Sequence, residues 1–136
     1  MYELFDHTAD LGLRVAAPDV DSLFAEAGRA LFAALVDNLE DVRPETEVRL
    51  EIDGNDREYL FFDWLNELLH EFESRSILLS EFDVHVTDTG LTATGCGEPV
   101  DADRHRMAHE VKAITYHGLK VEETPDGWKA EVIVDI

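Results

Sequence analysis

A chain of 136 residues has the size of one ordinary domain. With 45% apolar residues it can bury about two-thirds of the surface its unfolded form exposes, which excludes disorder as its general state. The formal net charge of −20, from 31 acidic and 11 basic residues, argues against direct nucleic-acid binding, because phosphate-rich partners need a basic face that releases counterions. The same acidity fits a solubility device for a salt-rich interior, where ionic strength screens self-repulsion. No run approaches the roughly 20 consecutive apolar residues that span a bilayer. The start, Met1-Tyr2-Glu3-Leu4-Phe5, lacks the basic-then-apolar order of a secretory signal. The expectation is a cytoplasmic protein with no membrane partner. A single cysteine, Cys96, excludes an internal disulfide or a thiolate cluster.

In chain order, Tyr2 to Phe5 and Leu11 to Ala16 read as short strands around the polar break at residues 6–10. Leu23, Ala27, Ala30, Leu31, Ala34 and Leu35 recur at helical spacing, with Asp21 or Ser22 as the expected cap and an end near Asp37-Asn38. Val48, Leu50 and Ile52 alternate with charged residues, as in a strand with one buried face. From Asp56 to Phe72, the apolar residues Leu60, Phe61, Trp64, Leu65, Leu68, Leu69 and Phe72 form one wide stripe of a second helix. Phe82 to Val86, the turn Asp88-Thr89-Gly90 and Leu91 to Gly95 predict a hairpin. A polar loop is expected from Glu98 to His109. A second hairpin follows, with Val111 to Val121 and Trp128 to Val134 joined at Pro125-Asp126-Gly127. The whole predicts one α+β domain over residues 1–136, with two main helices packed on a mainly antiparallel sheet.

Three segments place polar groups where a fold alone does not require them. In His7-Thr8-Ala9-Asp10-Leu11-Gly12, a histidine and an aspartate three apart fit either a shared site or a turn whose aspartate caps backbone N–H groups. In Val111-Lys112-Ala113-Ile114-Thr115-Tyr116-His117, alternation puts Lys112, Ile114 and Tyr116 on one face and Ala113, Thr115 and His117 on the other. Those residues fit a site, or a sheet edge where the lysine and tyrosine snorkel. The ending, Val132-Ile133-Val134-Asp135-Ile136, is apolar enough to be held in a sheet, which would fix the terminal carboxylate beside Asp135. Asp10, if sheet pairing brings it near, adds a third carboxylate. Such oxygens suit a hard divalent cation, which takes about six to eight oxygen ligands, so calcium or magnesium fits better than zinc. His105 and His109 are a further candidate metal pair, and Cys96 has no neighbour in sequence that would activate it.

Taken together, the His7–Gly12 segment, the helix segment Trp64-Leu65-Asn66-Glu67-Leu68-Leu69, the Val111–His117 segment and the terminal Asp135-Ile136 resemble the archease family, in order and along the whole chain. The resemblance implies a strand-helix-strand-strand module with added hairpins. It implies a cytoplasmic protein that is not an enzyme but a cofactor of an RtcB-type tRNA-splicing ligase, promoting guanylylation of the ligase and its multiple turnover. It also implies a divalent-metal site, with calcium first and magnesium or manganese as alternatives, on Asp10, Asp135 and the Ile136 carboxylate. Lys112 takes the position of a partner or nucleotide contact, with His7 and His117 as further candidates. Two other functions compete: a chaperone-like module for RNA-modifying enzymes with a purely structural metal, and a metal-dependent phosphoester hydrolase. The hydrolase lacks an evident general base beyond His7 or His117. If the chain end is a ligand, a C-terminal tag converts its carboxylate to an amide. Calorimetric titration with calcium should then show weaker binding for a C-terminally tagged protein than for an N-terminally tagged one.

Overall fold

The structure, a computed structural model, describes residues 1–7 and 10–136. The chain runs β1 (Tyr2–His7), β2 (Asp10–Ala17), α1 (Val20–Leu35), a 3-10 turn (Leu39–Asp41), β3 (Thr46–Asp53), α2 (Arg57–Arg75), β4 (Ile77–Thr87), β5 (Gly90–Pro99), β6 (Ala113–Thr124) and β7 (Gly127–Asp135). The α+β expectation with two main helices holds, and every strand pairing is antiparallel. The strands are divided between two sheets, ordered β1-β2-β7-β6 and β3-β5-β4. Neither helix is long and apolar enough to cross a membrane.

Ten residues of α1, among them Leu23, Phe24, Leu31, Phe32 and Leu35, are buried, because the helix packs against β2 of one sheet and β4 of the other. Its cap is Asp19, whose carboxylate accepts the Ser22 N–H at 2.8 Å, and not the expected Asp21 or Ser22. Helical geometry starts directly after Asp19, so Asp21 lies inside the first turn. There it accepts the Val86 N–H of β4 at 2.8 Å instead. The stripe expected on α2 is buried from Leu60 to Leu69 and half-buried at Phe72, and Asp56 caps that helix by accepting from the Tyr59 N–H at 3.1 Å. The Trp64 indole N–H donates to the Phe24 carbonyl at 2.8 Å, which satisfies the indole inside the core and joins the two helices. Phe24 meets Phe61 edge to face at 5.2 Å, and Trp64 meets Phe82 likewise at 5.9 Å.

The segment after β5 is polar but tightly held. Glu98 is the penultimate residue of that strand, not the start of a loop. Residues 106–109 lie along the end of α1, where Ala108 and His109 donate backbone N–H groups to the Leu35 and Ala34 carbonyls at 2.9 and 3.0 Å. Those carbonyls would otherwise end the helix unsatisfied. Asn38, 1% exposed, binds the Arg104 carbonyl, the Asp41 carboxylate and the Arg106 N–H. Glu98, 7% exposed, accepts from Arg104, from the Arg43 N–H at 2.6 Å and from His105 Nε2 at 3.2 Å. His105 Nδ1 accepts the Asp101 N–H at 2.8 Å, so the ring proton sits on Nε2, toward Glu98. Both ring nitrogens of His105 are therefore occupied by protein. The candidate metal pairing of His105 with His109 does not form.

The Arg104 hydrogen bond, set against burial and helped by the Arg43 N–H and His105, holds the Glu98 carboxyl at about 2 instead of 4.5. A carboxyl lowered in the folded state adds stability that is complete above the unfolded value and disappears as pH falls through the folded one. Glu98→Gln should cost about 2 kcal/mol at pH 7, the scale of hydrogen bonds to a buried charge. Urea midpoints compared across pH should show the deficit narrowing below 4.5 and vanishing near 2.

Candidate functional site

β7, the last strand, lies in the middle of its sheet, between β2 and β6. Its end therefore sits beside the beginning of the chain. Asp10 opens β2 directly opposite Asp135, and Ala113 at the start of β6 flanks Asp135 on the other side. Residues directly opposite in an antiparallel pair carry their Cβ atoms about 5 Å apart on one face. Leu11, Leu13, Val132 and Val134 turn inward from the same two strands and are buried, so Asp10 and Asp135 point to the opposite, outer face. Ile136 follows at once, with its side chain packed against the core.

Among the described residues, neither carboxylate pairs with an arginine or lysine. His7, opposite Asp10 on β1, brings Nδ1 to 3.9 Å from an Asp10 oxygen. Two such carboxylates repel by about 1 kcal/mol in water-like surroundings and by several times more where water is thin. No three His, Cys, Asp or Glu side chains converge on a metal position among the described residues. The candidate donor set is the two side chains, with the carboxylate expected at Ile136 as a third. That set is all oxygen and fits a hard cation, with water free to complete its shell. Thr8 and Ala9 lie outside the described residues, and with them the question of an Asp10-capped turn.

Lys112 is not part of a strand. Its N–H donates to the Asp135 carbonyl at 2.7 Å, while its exposed side chain lines a cleft of about 630 Å³ with Phe72, Met107 and His109. The sequence announced neither the place of Lys112 beside the chain end nor the cleft, whose far wall is the end of α2. The expected alternation through Tyr116 and His117 fails. β6 leaves its register with β7 between Thr115 and Lys120, so Ile114 is buried while Tyr116 and His117 are both exposed. His117 is not brought to the carboxylates by strand pairing. Thr115 carries a role the sequence reading did not assign, since its hydroxyl donates to the Ile133 carbonyl at 2.9 Å where the register breaks. Cys96 is half-buried, and burial, with Glu47 and Glu81 nearby, raises its thiol above the usual range.

The outer face is braced next to Asp10. Phe5 lies over Gly12, where an added Cβ would come within 2.1 Å of the ring, and the Arg14 guanidinium stacks on that ring at 4.3 Å. Arg14 is held in turn by Glu3 at 2.7 Å and Glu131 at 3.1 Å.

Fold and site together define a small α+β domain whose candidate centre is a pair of carboxylates at the seam of its first and last strands. The family model described as the Archease protein family (MTH1598/TM1083) matches residues 2–136. Protein archease of Methanopyrus kandleri is 42% identical over 139 residues, covering 99% of each chain. That of Pyrococcus furiosus is 34% identical over 140 residues, covering 99% of this chain and 98% of its own. The solution structure of Methanobacterium thermoautotrophicum protein 1598 superposes with a TM-score of 0.88 at 34% identity, over 99% of this chain and 98% of that one. A crystal structure from Thermotoga maritima, described as an archease and possible chaperone, shares the fold with a TM-score of 0.69 at 24% identity, over 100% of this chain and 98% of that one. The chain belongs to the archease family.

Gly12→Ala should displace the Phe5 ring and loosen β1 from β2, lowering stability by about 2 kcal/mol, the scale of an overpacked contact. Adding Phe5→Ala to that variant should cost less than Phe5→Ala alone costs the wild type, which a double-mutant cycle of urea midpoints measures.

Proposed function

We propose that this protein is a non-catalytic cofactor of an RtcB-type tRNA-splicing ligase, raising the ligase's guanylylation and multiple turnover through a divalent ion held at the joined chain ends. The observation that carries the reading is the register of Asp10 opposite Asp135, with the terminal carboxylate one residue further on. Asp10 and Asp135 hold the ion from two neighbouring strands, and Ile136 anchors the third carboxylate by burying its own side chain. When bound, the ion supplies charge neutralisation of the kind that assists reaction at a phosphorus centre. Calcium is the first expectation for the all-oxygen set, with magnesium or manganese able to replace it. Lys112 stands beside the same end of the sheet, and its amine is placed to meet a partner carboxylate or a nucleotide phosphate. His7, beside Asp10, is the second candidate contact. His117 lies further along β6, outside this cluster. Surface acidity favours a basic region on the ligase and disfavours direct contact with RNA. We place this work in the cytoplasm, together with the proposed ligase partner.

The test is multiple-turnover RNA ligation by the cognate ligase with wild type, Asp10→Asn and Asp135→Asn. Each variant should keep its fold and lose stimulation by roughly tenfold or more at limiting metal, equivalent to about 1.4 kcal/mol or more. Undiminished stimulation by both would refute the metal role. Chelation that lowers the melting temperature but leaves stimulation intact would favour the chaperone-like reading. Phosphoester hydrolysis by the protein alone would favour the hydrolase.

A further inference from the structure

Between Thr115, opposite Ile133, and Lys120, opposite Glu131, β6 carries four residues where β7 carries one. Gly118, at φ +70°, lies within this bulge. The bulge buries Leu119 and turns Tyr116 outward. The Tyr116 ring, 40% exposed, stacks on Tyr59 of α2, 56% exposed, at 4.9 Å and 26°. Phe62 meets Tyr116 edge-on at 5.6 Å. Single exposed aromatics need no explanation, but here two hold each other in the open, on a strand whose pairing is broken at that point. A stacked pair is already ordered, so a partner that covers it loses little side-chain freedom. Tyrosine is also among the residues that carry most interface energy.

The surround states what kind of partner fits. Asp56 caps α2, and Glu58, Asp63 and Glu67 follow within its first three turns. The Tyr116 hydroxyl is raised above its usual range by partial burial and then by Glu58, Tyr59 and Asp56, as a negative local potential requires. The one cation of that stretch, Arg57, lies over the Trp128 ring at 5.2 Å. Phosphate is repelled by such a surface. A guanidinium gains twice, by lying flat on an aromatic face and by pairing with the carboxylates beside it.

We propose that the Tyr59–Tyr116 stack is a docking surface that seats an arginine-bearing, basic segment of a protein partner. Tyr116 is three residues along β6 from Ala113, the neighbour of Asp135, which is about 10 Å at strand spacing. A partner seated on the chain-end carboxylates therefore reaches the stack. Identifying that partner with the ligase rests on the function proposed above, whereas the chemistry of the docked group does not.

Two measurements separate those claims. In the first, tyrosine-ring NMR signals of the wild-type protein are followed during titration with a short arginine-containing basic peptide, an equally charged lysine peptide and oligouridylate. The Tyr59 and Tyr116 rings should shift most with the arginine peptide, and Glu58→Lys, which keeps both rings, should reduce the response. Silence at both rings, an equal response to lysine, or a response to oligouridylate overturns the proposal. In the second, affinity for the cognate ligase is measured for Tyr59→Ala, Tyr116→Ala and Glu58→Lys with metal present. Each should bind roughly tenfold or more weakly, yet reach wild-type stimulation at saturating concentration. Wild-type affinity in all three folded variants overturns the docking role. A wild-type protein that binds no ligase refutes the proposed function, and the peptide titration then decides the docking surface alone.

Discussion

The pairing of β2 with β7 is the constraint on which the molecule depends. It joins residues 10–17 to residues 128–135, nearly the full length of the chain apart. Bringing such distant segments together costs loop-closure entropy, although that cost grows only slowly with length. The return comes from burial on one face: Leu11, Leu13 and Val15 of β2 lie beside Val134, Val132 and Ala130 of β7, all at 3% exposure or less. The opposite face inherits the same register, and there it sets Asp10 beside Asp135. An apolar zipper on the inside thus imposes a carboxylate pair on the outside, because side chains of a strand alternate and cannot be placed independently. A cation seated between them would remove the repulsion of that pair, and this is the physical ground for reading the seam as a candidate site.

A second buried system positions what approaches that seam. Asn38, Glu98 and His105 are polar and buried, and each is satisfied by partners from residues 41–43, from residues 101–106 or from one another. The network ties the long connection after β5 to the end of α1, whose last carbonyls it also fills. Residues 107–112 are thereby delivered to the C-terminal end of β7, where the Lys112 N–H meets the Asp135 carbonyl. Polar burial of this kind is stable only when complete. Here every buried side-chain nitrogen and oxygen among the described residues has a partner.

Charge is distributed unevenly over this frame. All three lysines, Lys112, Lys120 and Lys129, belong to the β6–β7 ribbon or its approach, although the whole chain carries −20. The outer face of the three-stranded sheet presents Glu47, Glu51, Asp53, Glu81 and Asp83 on exposed positions. The two outer faces therefore differ in field, and a partially basic partner is steered toward the molecule as a whole while its final seat is decided by local contacts.

Much of this was legible in the amino-acid order. The α2 stripe from Leu60 to Leu69 repeats at helical spacing and is buried as that spacing requires, and the turns at Asp88-Thr89-Gly90 and Pro125-Asp126-Gly127 close the hairpins they announce. The start of β4 was not legible, because Ile77, Leu78 and Leu79 are all buried at a bulge and show no alternation. Nor was the burial of Glu98 and His105, since polar residues in a polar stretch carry no sign of enclosure. Tyr116 was assigned to the wrong face because alternation assumes a continuous ladder, and the ladder breaks after Thr115. Local periodicity and turn chemistry depend on neighbours a few residues away, so the sequence by itself determined the helices, most strands and the family. Which strands pair beyond the hairpins depends on contacts between distant segments, over a hundred residues apart for β2 and β7. Only the tertiary structure decided that β7 enters the middle of its sheet, that seven strands form two sheets, and that Asp10 faces Asp135.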